Sequence, residues 1–453
     1  MNTARKRFAL LTGMLTDRVA LYGVATKITQ GVAGLVSVVF IVRHFSPAVQ
    51  GYYYTFSNLL ALQIFLELGL STVVTIFAAH EWSKLRIDSD GTVRGDEAAL
   101  SRLRSLTRKI AVWYLCGGAA LLTLLAPAGL WFLGSQPGED LVNWRLPWVT
   151  LCVISTLSFL ATPIWAVLTG CGQLVRINPF RMIETAARYA VLWTCMALGA
   201  SLWSAVGAAA VSAIATSAFF VLKYLRFLRS IFARPSLASV DWLKELAPLQ
   251  MRIAISWISG YFAFSIFTPV MFHFHGAAEA GKVGMTWALV AGISGIAGTW
   301  LQVQAPQFSM MVSSKEYAKL DAAARRTALI GVAIQSAGAL TAVGLVQLLS
   351  IKRPDLAARL VPLGPLALFL FAELLHQVSM VQSTYLRAFK KEPFLGISVA
   401  SGIVIGLGTF LLTPAFGAYG PAVSYLSGVG LALIWGTIVF VRHRASWTTS
   451  STH

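Results

Sequence analysis

The chain has 453 residues, of which 57% are apolar and only 12% charged, and it carries a formal net charge of +18. Soluble domains average about 25% charged residues, so a water-soluble globular protein is excluded and lipid must be the solvent for most of the chain. The 36 Lys+Arg against 18 Asp+Glu would suggest a nucleic-acid binder in a soluble protein; in a membrane protein they predict basic loops on the cytoplasmic side.

A membrane crossing takes about 20 mostly apolar residues. Runs of that kind fall near 20–42, 52–79, 110–134, 147–170, 183–200, 203–222, 253–274, 283–304, 327–350, 361–386, 395–414 and 419–441, so about twelve transmembrane helices are expected. The first follows Arg5, Lys6 and Arg7 and has no small-residue cleavage site, so it reads as an uncleaved span. Segment 81–109 carries mixed charge (Lys84, Arg86, Asp88, Asp90, Arg94, Asp96, Glu97) and reads as a solvated helical loop. Ala200, Ser201 and Leu202 join spans five and six as a tight helical hairpin. Cys116, Cys152, Cys171 and Cys195 all fall inside apolar runs without metal-like spacing and read as buried small hydrophobes. His44, His273 and His275 read as surface residues and not as metal ligands.

With twelve spans, 28 Lys/Arg lie in the two tails and after even-numbered spans, six lie after odd-numbered ones, and Lys27 and Arg188 lie within spans. This asymmetry predicts both termini in the cytoplasm and an even number of spans.

The chain repeats itself weakly. His44-Phe45-Ser46-Pro47-Ala48-Val49-Gln50-Gly51 after span one matches His273-Phe274-His275-Gly276-Ala277-Ala278-Glu279-Ala280-Gly281 after span seven. Glu81-Trp82-Ser83-Lys84-Leu85 matches Glu316-Tyr317-Ala318-Lys319-Leu320, and Asn178-Pro179-Phe180 matches Glu392-Pro393-Phe394. The order is the same in each half. The expected organisation is an N-terminal six-helix bundle over 1–225, a cytoplasmic linker over 226–252, and a C-terminal six-helix bundle with a short tail over 253–453. Six spans per half give parallel repeats of the kind found in transporters that rock around a central site.

An ionisable group in hydrocarbon costs at least about 2.5–3.5 kcal/mol, so it is expected to face a cavity or a partner. Lys27 lies in span one, Glu67 near the middle of span two, and Arg252 at the start of span seven. Glu373 and His376 share a face of span ten, as a local hydrogen-bonded pair or part of a proton relay. Arg181, Glu184 and Arg188 are spaced three and four apart and therefore share one helical face of span five. The competing reading of Lys27, Arg181 and Arg188 is snorkelling to the membrane surface. The excess of Lys/Arg over carboxylate within the spans argues for an anionic cargo such as a phosphate or pyrophosphate. Glu67, Glu184 and Glu373, with His376, are candidates for ion coupling. No G-x-x-x-x-G-K-[ST] is present, so no phosphate-binding loop for ATP is expected, and no cofactor is implied.

Four segments stand out: Ala48-x-x-Gly51-Tyr52-Tyr53, Leu68-Gly69-Leu70, Gly170-x-Gly172 leading into Arg176-Ile177-Asn178-x-x-Arg181-x-x-Glu184, and Ala305-Pro306-Gln307-Phe308. With them the chain resembles the O-antigen/exopolysaccharide (lipid-linked oligosaccharide) flippase family of the multidrug/oligosaccharidyl-lipid/polysaccharide exporter superfamily. The likeness runs over essentially the whole chain, and its motifs are diffuse. It implies an all-α polytopic protein, two pseudo-symmetric six-helix bundles around a central cavity, and residence in the bacterial inner membrane. The implied activity is flipping of an undecaprenyl-pyrophosphate-linked oligosaccharide from the cytoplasmic to the periplasmic leaflet, with membrane lipids and polysaccharide polymerase machinery as partners. On that reading Lys27, Arg181, Arg188 and Arg252 would hold the pyrophosphate and acidic sugars. Three rival readings stand beside it. A multidrug cation antiporter of the same superfamily calls for a carboxylate-dominated cavity. A glycan polymerase or glycosyltransferase calls for a sizeable outward loop, and here Glu139-Asp140 is the only acidic pair on that side. A scaffold without transport activity is the third.

Overall fold

A computed structural model describes residues 18–135, 142–235, 238–389 and 394–449. Arg5, Lys6, Arg7, the Glu139-Asp140 pair and Glu392-Pro393 lie outside the described residues. The protein is an all-α, polytopic membrane protein. Its helices are α1 (Arg18–His44), α2 (Pro47–Leu60), α3 (Ile64–Glu67), α4 (Leu70–Trp82), α5 (Glu97–Ala120) and α6 (Ala126–Leu133). They continue with α7 (Arg145–Gly170), α8 (Leu174–Ala197), α9 (Trp203–Ile231), α10 (Ala247–Phe264), α11 (Phe267–Ser313) and α12 (Tyr317–Lys352). The chain ends with the short α13 (Pro354–Ala357), then α14 (Leu363–Ala388), α15 (Leu395–Phe416) and α16 (Tyr419–Thr449).

Nine helical runs among the described residues are long and apolar enough to cross a bilayer, and the broken pair α2–α3/α4 makes ten. The run over 242–313 holds two helices, α10 and the 47-residue α11, more than one crossing at about 1.5 Å per residue. The 24-residue α8 fails the apolar criterion through Arg176, Arg181, Glu184 and Arg188, yet it is a continuous helix. Together these elements account for the twelve expected runs.

The chain divides into two compact units. The first takes residues up to Gln30 and 62–257, and the second takes 31–61 and 258–453. Residues 18–30 of α1 therefore belong to one unit and 31–44 to the other.

In the first unit, span two is broken rather than straight. Leu68 and Gly69 both adopt left-handed backbone, φ 50° and 67°. A side chain at Gly69 would meet Ile253 Cγ2 at 2.3 Å, so only glycine fits. The Trp113 indole donates to the Leu66 carbonyl at 2.8 Å, which satisfies a backbone group that the break frees. Segment 81–109 is not one helical loop. It forms a two-stranded hairpin, β1 (Leu85–Ile87) against β2 (Val93–Gly95), before α5 begins under an Asp96 cap. Buried Leu85 and Val93 anchor the hairpin to the core, which the net charge of the segment conceals. At its tip the Thr92 backbone N–H and hydroxyl hold the Asp90 carboxyl below its usual range.

The stretch after α9 is strapped along α5. Ser101 donates to the Ala238 carbonyl at 2.8 Å, Lys109 to the Val240 carbonyl at 2.5 Å, and the Val240 N–H to Ser105 at 3.2 Å. Arg102 clamps two carboxylates, Glu81 at 2.8 Å and Glu245 at 2.5 Å. Between α8 and α9, Gly199 (φ 76°) and Ser201 (φ 51°) make the tight turn of the helical hairpin.

In the second unit, the two matched segments that follow spans one and seven pack on each other. A Cβ at Gly51 would fall 1.8 Å from the Ala277 carbonyl oxygen, and one at Gly281 would fall 2.9 Å from the Gly51 nitrogen. Gln50 Nε2 donates to the Gly281 carbonyl at 2.8 Å. Small residues here let two backbones approach closely, the usual means of helix association in lipid. Gly276 is non-helical (φ 79°) and kinks α11 just before this contact.

Candidate functional site

Four helices of the first unit (α1, α7, α8 and α9) enclose a cavity of about 350 Å³ that contains Lys27, Arg181 and Glu184. The local backbone explains the placement. Gly172 (φ 71°) ends the turn after α7, α8 starts at Leu174, and the spacing of three sets Arg181 and Glu184 on one face. Pro179 sits inside α8, where it removes one backbone donor near the cavity.

Within the cavity the Arg181 guanidinium lies 4.6 Å from the centre of the Trp165 ring, a cation–π contact of the kind arginine favours. Trp165 is held in turn by Phe180 (5.8 Å), Phe219 (5.7 Å) and Phe220 (4.6 Å). The aromatic platform fixes the guanidinium plane and leaves its N–H edge for an acceptor. Glu184 accepts a hydrogen bond from Ser212. Lys27 is exposed in the cavity wall, with Thr26 and Gln30 beside it. Two cations and one carboxylate therefore line the space, and the carboxylate is engaged by a hydroxyl. The cavity is net positive and polar, and it falls in the usual size range for small-molecule sites. Among the described residues no cluster of His, Cys, Asp and Glu could hold a metal ion.

The other sequence-derived candidates lie elsewhere. Arg188 is a turn beyond the cavity, with its guanidinium 4.6 Å from the centre of the Tyr189 ring. Arg252 is exposed on α10. Glu67 sits at the break in span two. Its Oε1 is shielded from solvent and lies beside the buried Tyr114 hydroxyl, with which it interacts. In the second unit Glu373 is 3% exposed and accepts a hydrogen bond from Tyr425, not from His376. His376 meets the Phe264 ring at 5.8 Å. His275 is bonded to the Thr413 carbonyl at 2.8 Å. Cys152 and Cys171 are buried, but Cys116 is exposed, because its face of α5 points away from the core.

Sequence reading missed Trp165 and Ser212. Both sit in apolar spans where an aromatic or a serine is ordinary, and only the fold shows that one faces Arg181 and the other Glu184.

No model of a protein family matches the sequence, and no curated protein matches it. Solved structures do. The inward-facing conformation of a multidrug resistance MATE family transporter of the MOP superfamily is similar at TM-score 0.67 and 15% identity, over 96% of each chain. The lipid II flippase MurJ, in an inward closed conformation, is similar at TM-score 0.66 and 13% identity, over 92% of this chain and 87% of that one. A MOP superfamily transporter from Pyrococcus furiosus, described as having a binding pocket of reverse polarity, is similar at TM-score 0.57 and 15% identity, over 94% and 95%. The chain therefore has the fold of MOP-superfamily transporters.

Proposed function

We propose that this protein is a transporter that flips an anionic lipid-linked glycan across the inner membrane, of the undecaprenyl-pyrophosphate-linked repeat-unit class. The observation that carries the reading is the cavity of the first unit, where Lys27 and the Trp165-backed Arg181 face a space containing a single, already engaged carboxylate. A pyrophosphate brings several acceptor oxygens and multiple negative charge, which guanidinium and ammonium groups bind through charge-assisted hydrogen bonds.

In the mechanism we infer, the six-helix bundles alternate access. The headgroup and sugars enter the cavity from the cytoplasmic side while the prenyl chain stays in lipid. Neutralising the cations lowers the cost of closing the cavity and so shifts the population toward the outward-open state. The excess of basic residues on one side supports cytoplasmic termini. Glu184, in the cavity itself, is the carboxylate best placed to couple an ion, with Glu67 at the helix break next. Arg188 and Arg252 lie outside the cavity lining and would act on parts of the cargo beyond it. The reading assigns no enzymatic step to the protein, and a polysaccharide polymerase would act on the delivered product.

The test is flipping of a labelled lipid-pyrophosphate glycan in proteoliposomes. Wild type is expected to flip, and Lys27→Ala and Arg181→Ala to lose most of the rate. Unchanged flipping in both variants would remove the binding site from the proposal.

A second reading, a cation antiporter, draws on Glu67, whose Oε1 is shielded from solvent beside Tyr114 at the break in span two. Uptake of a cationic dye, abolished by Glu67→Gln and indifferent to Arg181→Ala, would favour it.

A further inference from the structure

A second hollow in the first unit, about 700 Å³ and separate from the cavity above, opens on the outer surface of α5. Its floor is the strip Lys109, Val112, Trp113, Cys116 and Ala120, with Trp242 closing one side. The spacing of three and four puts these residues on one face of α5. Val112 is 60% exposed and Cys116 is exposed, so this face is open at the surface of the unit.

Three features suit a lipid chain with an anionic head. Among the described residues that line the groove Lys109 is the only charged one, and it stands at the end nearer the N-terminus of α5. One of its donors goes to the Val240 carbonyl, and an ammonium has three. From Lys109 to Ala120 the groove runs eleven residues, roughly 16 Å at helical rise, about half the ~30 Å hydrocarbon thickness. It is thus one leaflet deep, with its cation at the headgroup level. Near that end Trp113 and Trp242 stack at 5.5 Å and 15°, a rigid wall of the kind found at membrane interfaces.

We propose that this groove is the seat at which a polyprenyl pyrophosphate first docks from the leaflet on the basic side, the near end of its isoprenoid chain in the groove and its phosphate end at Lys109, before the headgroup moves on to Lys27 and Arg181. The proposal rests on the lipid-linked anion reading above and deepens it, because it gives the chain a seat on the protein. The groove offers a single strip, which suits a one-chain lipid over a two-chain phospholipid.

Native mass spectrometry of the whole protein in detergent, titrated with a sugar-free polyprenyl pyrophosphate and separately with inorganic pyrophosphate, tests it. Cys116→Trp and Val112→Trp fill the groove at two levels, and Val153→Trp alters an outward face of α7 away from it. Both filling variants are expected to hold the lipid about tenfold more weakly, with inorganic pyrophosphate and the Val153→Trp control unchanged. Lys109→Ala is expected to weaken the lipid about threefold. Wild-type lipid affinity in both folded filling variants overturns the groove, as does equal competition by phosphatidylglycerol, and either leaves the transport reading standing. Failure of the wild type to hold pyrophosphate in either form overturns that reading and the groove with it.

Discussion

Lys27 and Arg181 of the first unit line a space that water can enter, whereas Glu373 of the second is closed in by Tyr425, itself ringed by Phe267, Trp287 and Phe369 at 5.1–6.1 Å. Both are ionisable groups within apolar spans, and sequence gives them equal standing. The difference lies in their partners. Arg181 has an aromatic face behind it and an unfilled edge in front, so an incoming anion finds donors already oriented. Glu373 has its hydrogen bond supplied from within, so nothing from outside is needed to satisfy it. Charge in a membrane protein marks a binding site only when the fold leaves it wanting a partner.

The contrast can be broken most directly at Arg181. A charge-assisted hydrogen bond is worth about 1.5–3 kcal/mol, and each 1.4 kcal/mol is about tenfold. Arg181→Ala is therefore expected to cut flipping roughly tenfold or more, while Tm moves by less than about 2 °C; loss of fold instead would make Arg181 a packing residue. Next in size is Tyr425→Phe. It strands a buried carboxylate at a cost of about 1–3 kcal/mol, a Tm fall of about 1–3 °C for a chain of this length, with transport per folded molecule retained. If folded Tyr425→Phe protein stops transporting, Glu373 belongs to an ion path and the comparison fails. Arg188→Ala should slow flipping less than about threefold, since its guanidinium lies outside the cavity over Tyr189; a loss as large as that of Arg181→Ala would extend the binding surface along α8. The smallest effect concerns Gln335, which is 0% exposed with both amide atoms unpartnered among the described residues. Removing such a group is close to neutral or stabilising. Gln335→Leu should leave Tm within about 1 °C or raise it, and a lowered Tm would reveal a bound water or ion there.

The apolar runs made the helices legible, and the spacing of Arg181 and Glu184 put them correctly on one face. The resemblance flagged Ala48-x-x-Gly51 and Leu68-Gly69-Leu70, and both have a physical cause: Gly51 admits the Ala277 backbone, and Gly69 turns left-handed at a break. What periodicity could not give was rotation within a face. Arg188 is two turns from Arg181, yet its side chain swings onto Tyr189, a choice made by local packing. Nor could the sequence show that residues 31–61 join the C-terminal unit, because that division depends on contacts hundreds of residues apart. The hairpin at 85–95 was hidden because its buried residues are only Leu85 and Val93 among many charges.

The broken second span bears on biogenesis. The donor that satisfies the Leu66 carbonyl is Trp113, and the side chain that crowds Gly69 is Ile253, so both supports leave the ribosome after the segment they hold. A newly made stretch over 47–82 that reaches the bilayer before them gains most by keeping its backbone bonds in one uninterrupted rod. The crease is then a late step of assembly, set when the third span arrives alongside and locked once the chain has been synthesised past its midpoint.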